Sequence, residues 1–137
     1  VNYLFDVNVL LAWGWQDHIH HRRAASWIAA MKRKRGVTLL TASIPELGFV
    51  RVSVQRSAGL IKVADAAGVL SSMLQSLSSR HVFLVDDRSS TTGFPVWCLA
   101  ASATTDGHLL ALAHSHGAEL ATLDAGIPGA YLLPAVT

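Results

Sequence analysis

The amino-acid sequence predicts an α/β fold of three layers, a central parallel sheet of four to five strands with helices on both faces. Three observations lead there. Strand-like runs alternate with helix-like runs along the whole chain, the pattern of parallel α/β architectures. The strand-like runs, such as "VTLLTA" and "HVFLV", are almost continuously apolar, as strands covered on both faces must be. The 137 residues show no internal repeat, low-complexity tract or linker, so we expect residues 1–137 to form a single domain, burying roughly two thirds of the surface the unfolded chain exposes.

The elements follow in order. Tyr3 to Phe5 reads as a short buried strand, followed by a turn and a brief helix through Val9 to Ala12. From His20 to Arg35 the residues Ala24, Trp27, Ile28 and Met31 recur at i, i+3, i+4 and i+7, one face of an amphipathic helix, and Gly36 stops it. Val37 to Ala42 is a second strand. "SIPELGFVRVSV" then starts a helix, with Ser43 as N-cap and Pro45 in the first turn. Val63, Ala67, Leu70, Leu74 and Leu77 mark another helix, and His81 to Val85 a third strand. After a Ser/Thr/Gly loop, Phe94 to Ala103 reads as weakly helical. Asp106 opens a helix that runs to about His116, where Gly117 closes it. "AELATL" and "AYLLP" supply the last two strands. Ligands of such sheets bind beyond the carboxyl ends of the strands.

Composition narrows the class. Hydrophobic residues make up 51% of the chain and charged residues 15%, a balance that suggests a large core plus apolar surface for a partner, and so an oligomer or complex. No apolar run approaches the roughly 18 residues of a membrane span, and no export signal opens the chain; we expect a soluble cytoplasmic protein. A single cysteine, Cys98, excludes an internal disulfide. Net charge is +2, yet Lys and Arg cluster in "KRKR" at 32–35 and recur at Arg22, Arg23, Arg51, Arg56 and Arg88. A polyanion is a suitable partner.

Only nine acidic residues are present, so their positions carry information. Asp6 stands inside the apolar run "YLFDVNVLLAW", where a carboxylate needs a hydrogen-bonding cap, a cation or a metal. Glu46 lies in the first turn after the second strand, Asp106 at a helix start and Asp124 just past "ELATL". Each alone has an ordinary reading: Asp6 as a helix cap, Glu46 in a Ser-x-x-Glu capping box, Asp106 at the favourable end of a helix dipole, Asp124 in an Asx-turn before Gly126. Together they occupy one rim of the predicted sheet. Four carboxylates facing one crevice repel unless a cation gathers them, and this donor set suits Mg²⁺ or Mn²⁺.

The segments "LFDVNVLLAW", "SIPELGFVRV", "TTDGHLLALA" and "ATLDAGI" resemble, in order and spacing, the four acidic motifs of PIN-domain ribonucleases, particularly the VapC toxins of type II toxin–antitoxin modules. The resemblance covers nearly the whole chain. It implies a PIN-like three-layer α/β/α fold and a metal site of Asp6, Glu46, Asp106 and Asp124, with Asn8 and Thr105 as polar neighbours. It further implies a Mg²⁺- or Mn²⁺-dependent endoribonuclease toxin that cleaves structured RNA, tRNA or rRNA, leaving a 5′-phosphate and a 3′-hydroxyl. The implied partners are a VapB-type antitoxin, through which alone operator DNA would be bound, and a second copy in a homodimer. "DDRSSTTGFPVWC", with Asp86 and Asp87, matches no motif position.

Basic residues outside that rim fit an RNA partner, since 11 Lys and Arg then face only the five remaining acids. Arg51, about one and a half turns past Glu46, is a candidate phosphate contact or a solvated helix residue. "DHIHH" at 17–21 lacks the further ligands of a zinc site. Cys98 with His108 as a nucleophilic pair lacks a group to orient the histidine. Trp13, Trp15 and Trp27 fit core or partner packing better than base stacking. Among rival functions, a phosphotransferase with Asp6 as nucleophile would want a second Asp where Asn8 stands. A receiver-like domain using Asp86 and Asp87 leaves Glu46 and Asp106 unexplained. A PIN-like RNA- or protein-binding module without catalytic activity is the non-enzymatic alternative.

Overall fold

The computed structural model describes residues 1–136. Five parallel strands, β1 (Asn2–Phe5), β2 (Thr38–Thr41), β3 (His81–Phe83), β4 (Glu119–Thr122) and β5 (Tyr131–Leu132), lie in the order β3-β2-β1-β4-β5. The chain starts in the middle of the sheet, builds outward to β3, and returns to the other side of β1. Between β1 and β4 the direction of winding reverses, which opens a crevice at the carboxyl ends of those two strands.

Side-chain alternation along each strand sorts the core into two layers. Tyr3 and Phe5, Leu39 and Ala121 face a cluster built with α1 (Val7–Gly14), α2 (His21–Arg33), α3 (Ser43–Arg56) and α4 (Val63–Gln75). Their neighbours Leu4, Leu40 and Leu120 face the opposite cluster, where α5 (Thr104–Ser115) contributes Leu109, Leu110, Leu112 and Ala113. The result is the expected three-layer α/β/α arrangement. On α2 the predicted stripe of Ala24, Trp27, Ile28 and Met31 is buried. Gly117 closes α5 with φ +65°; its N–H reaches His114 O at 3.1 Å and that of Ala118 reaches Ala113 O at 2.9 Å, the paired bonds of a Schellman motif.

Three local expectations are corrected. Helix α1 fills eight residues rather than the four from Val9 to Ala12; Asp6 caps it so that it starts two residues earlier, and it runs two residues further, to Gly14. Ser43 is the first residue of α3 and not its N-cap; Ala42 holds that position with no side-chain cap. Phe94 to Ala103 is not a helix. Apart from a 3₁₀ turn at Ala101–Ala103 it is irregular, and Val96 and Leu99 are exposed, so no apolar stripe draws it into helical form.

Two glycines let helices approach the crevice closely. A Cβ on Gly48 would lie 2.7 Å from Val7 Cγ2, and one on Gly107 2.8 Å from Cys98 Sγ. The first contact packs α3 against the start of α1, next to Asp6. The second seats the first turn of α5, next to Asp106, against the 95–98 segment.

Candidate active site

Asp6 leaves β1 directly into the crevice and is only 5% exposed. Its Oδ1 accepts the Val7 N–H at 2.7 Å, capping α1. Its Oδ2 accepts the Thr122 hydroxyl at 2.8 Å and the Asn8 side-chain amide at 3.4 Å. Burial nevertheless raises its pKa above the ordinary carboxylate value; the Thr122 and Val7 hydrogen bonds oppose the rise, and the nearby Asp124 charge adds to it. The ordinary reading of Asp6 as a cap is therefore correct but incomplete, since among the described residues no Lys, Arg or His forms an ion pair with it.

Asn8 joins β1 to the segment after β4. Its Oδ1 accepts the Leu123 N–H at 3.0 Å and its Nδ2 donates to Thr122 Oγ1 at 3.1 Å. Asp124 follows one residue later. Its N–H donates to Thr122 Oγ1 at 3.0 Å, and its Oδ1 accepts the Gly126 N–H at 2.8 Å in the expected Asx-turn. Asp106, in the first turn of α5, also has a raised pKa. Burial is the main cause, with the charges of Asp6 and Asp124 adding to it. The three aspartates thus share one electrostatic neighbourhood.

Glu46 reaches the rim from the first turn of α3, half-buried. Its capping box does not form. Instead its Oε2 accepts the Thr41 hydroxyl at 2.6 Å, and His81 Nε2 lies 2.7 Å from the same hydroxyl oxygen. Burial lowers the His81 pKa, while the Glu46 charge pulls it back up.

Sequence reasoning missed Thr41 and Thr122. Both are fully buried and both end a strand flanking β1. Each gives its hydroxyl proton to one site carboxylate. The available signal is a threonine closing the apolar runs "TLLT" and "ELAT" shortly before an acid. Thr105 and Arg51 are exposed and make no side-chain bond to the four acids among the described residues.

Among the described residues no Lys, Arg or His forms an ion pair with Asp6, Glu46, Asp106 or Asp124. Nor are three His, Cys, Asp or Glu side chains drawn into a ready metal cage. The other constellations resolve into packing. Asp17 pairs with Arg56, which stacks 4.3 Å from the Trp15 ring centroid. His21 Nδ1 bonds Ala12 O, and Trp27 is buried in the core beside Tyr131. His108 does have an orienting carboxylate: Asp86 Oδ2, 2.6 Å from its Nε2. Cys98 Sγ instead faces Ala103 O at 3.3 Å.

A sheet that reverses between β1 and β4, with three aspartates and a glutamate on its carboxyl rim, has a counterpart among known proteins. The family model described as "PIN domain" matches residues 3–131. Ribonuclease VapC38 of Mycobacterium tuberculosis is 40% identical over 128 residues, 90% of this chain and 86% of its own. The chain belongs to the VapC ribonucleases of the PIN-domain family. Ribonuclease VapC39 and Ribonuclease VapC44 of the same organism are 34% and 36% identical, each over 90% of this chain and 89% and 87% of their own length. In this PIN domain the four acids lie at four separate places in the chain, just after β1, in the first turn of α3, in the first turn of α5 and just after β4.

Proposed function

We propose that this PIN domain is a Mg²⁺- or Mn²⁺-dependent endoribonuclease toxin acting on structured RNA, tRNA or rRNA. The observation that carries the reading is the gathering of acids at the switch point, where burial first and neighbouring carboxylate charge second raise the pKa values of Asp6 and Asp106, with no cationic side chain paired to either among the described residues. The donor set fits the implied ion. Mg²⁺ prefers hard oxygen ligands, keeps several waters and needs only one or two carboxylates, so a fully formed protein cage is not required.

Asp6 and Asp106 would hold the ion, with Asp124 and Glu46 completing the set directly or through water. When bound, the ion supplies Lewis acidity and neutralises charge developing on the phosphate and leaving oxygens. Thr122 and the Val7 amide keep both Asp6 oxygens in fixed orientation. Glu46, its Oε2 already taken by Thr41, would use its other oxygen to orient the attacking water. Arg51 is free to meet a phosphate beyond the rim.

An antitoxin partner is supported by the apolar groove of about 480 Å³ between α3 and α4, lined by Leu47, Val50, Leu70, Leu74 and Phe83, with Glu46 at its margin. An amphipathic helix suits such a groove. We further propose a homodimer, DNA contact only through the antitoxin, and a cytoplasmic location. No helix of the described residues is long and apolar enough to cross a membrane.

The test is RNA cleavage by the purified chain with Mg²⁺, Mn²⁺ or chelator. We expect ion-dependent endonucleolytic products. Binding without cleavage under every ion condition would favour the inactive binding module, a reading that draws on the lack of three pre-gathered ligands among the described residues.

A further inference from the structure

Strand register puts Thr41 and His81 on one face of the sheet. Leu39 pairs with His81 and Thr41 with Phe83, so Thr41 is the diagonal neighbour of His81 on the face that carries α3. The three polar groups line up as His81 Nε2, Thr41 Oγ1 and Glu46 Oε2, with separations of 2.7 and 2.6 Å. A hydroxyl has one proton to give. An ionised Glu46 can only accept, so the Thr41 proton points to Oε2, and the hydroxyl oxygen must then receive a proton from His81. That fixes the imidazole as the Nε2–H tautomer. Thr41 is fully buried, so water cannot substitute for either partner.

We propose that His81 is a positioning residue for Glu46, acting through Thr41, whose hydroxyl it orients toward the carboxylate so that the second glutamate oxygen stays turned to the metal and water. The inference deepens the reading of Glu46 given above and rests on it. Without His81 the buried Thr41 oxygen would lose the donor that holds it opposite Oε2, and the glutamate would be held less firmly in its rotamer.

The experiment measures Mn²⁺ dissociation constants by electron paramagnetic resonance, single-turnover RNA cleavage and melting temperature on the full chain. Variants are Thr41→Val, His81→Leu, their double, the conservative Thr41→Ser and His81→Gln, and Glu46→Gln as reference. Glu46→Gln is expected to weaken Mn²⁺ binding. Thr41→Val and His81→Leu should each weaken it by roughly 3- to 10-fold, the scale of one hydrogen bond. Thr41→Ser and His81→Gln should restore it to within about twofold, since each keeps the donor geometry. The double variant should be no weaker than Thr41→Val, because both act on one path. A structural role alone would make affinity follow melting temperature instead of the donor pattern. Parent-like Mn²⁺ binding by Thr41→Val and His81→Leu, beside a weakened Glu46→Gln, would overturn the positioning role and leave Glu46 in the site. Parent-like binding by Glu46→Gln would remove Glu46 from the site and the inference with it. A His81 found by nitrogen NMR with its proton on Nδ1 would also overturn it.

Discussion

Asp6 serves two masters at the residue scale, the helix it caps and the crevice it charges, and the two can be separated. Asparagine caps a helix about as well as aspartate, so Asp6→Asn should keep α1 and lose cleavage by at least about 100-fold. Asp106→Asn, which removes no cap, should do the same; unchanged melting with lost activity is the pattern to seek. Asp106 also makes a pH prediction. Its folded pKa is raised by burial and by Asp6 and Asp124, so the folded state holds its proton more tightly than the unfolded one. Its stabilising contribution is full below the unfolded value of about 3.9 and is lost as pH rises through the raised folded value. Without metal, Asp106→Asn should therefore melt above the parent, with the gap widening from about pH 4 and levelling off once the carboxyl is ionised. A constant gap across thermal melts from pH 4 to 8 would contradict this. The acids were legible in the sequence because the chain has so few of them. Thr41 and Thr122 were not, since a threonine at a strand end is also what β-propensity alone provides, and only the strand order shows that both flank Asp6.

Between elements, the distances that matter are set by what is missing. Gly48 has no Cβ because Val7 occupies that space, and α3 can therefore carry Glu46 up to the start of α1. Gly48→Ala should cost about 1–3 kcal/mol, the usual penalty of forcing atoms into a packed contact, and reduce cleavage more than an exposed alanine elsewhere on α3; urea unfolding beside an RNA assay checks both. Periodicity made α2 legible because its whole apolar stripe is buried; on α4 the stripe predicted the helix but not its burial, since Val63 and Ala67 are exposed and Leu77 lies beyond its end, and α5 was legible from Asp106 and Gly117 at its ends. The stretch from Phe94 to Ala103 misled for the opposite reason. Its aromatic and aliphatic residues look helical in composition, but the contacts with the α5 layer come from Pro95, Trp97 and Cys98, while Val96 and Leu99 face outward. Local content without a partner surface does not define an element.

For the whole molecule, burial and neighbouring charge disfavour the ionised forms of Asp6 and Asp106, and ion binding at the proposed site should reverse that cost. An ion at 100 times its dissociation constant stabilises by about 2.7 kcal/mol, so Mn²⁺ should raise the melting temperature of the parent and have far less effect on Asp106→Asn. Equal shifts for both would place the ion elsewhere. The sheet order was predictable only as a class: alternating runs announce parallel strands, yet nothing local says that β4 returns to the side of β1. That return has a consequence for the protein's manufacture. Asp6 is made more than a hundred residues before Thr122 and Asp124, which complete its surroundings. A chain still being translated holds a first strand with no crevice beside it. A product able to cut RNA would thus stay harmless to the machine synthesising it until the fourth strand emerges and docks, and ribosome-bound chains arrested at Ala118 should leave RNA intact where released full chains cut it.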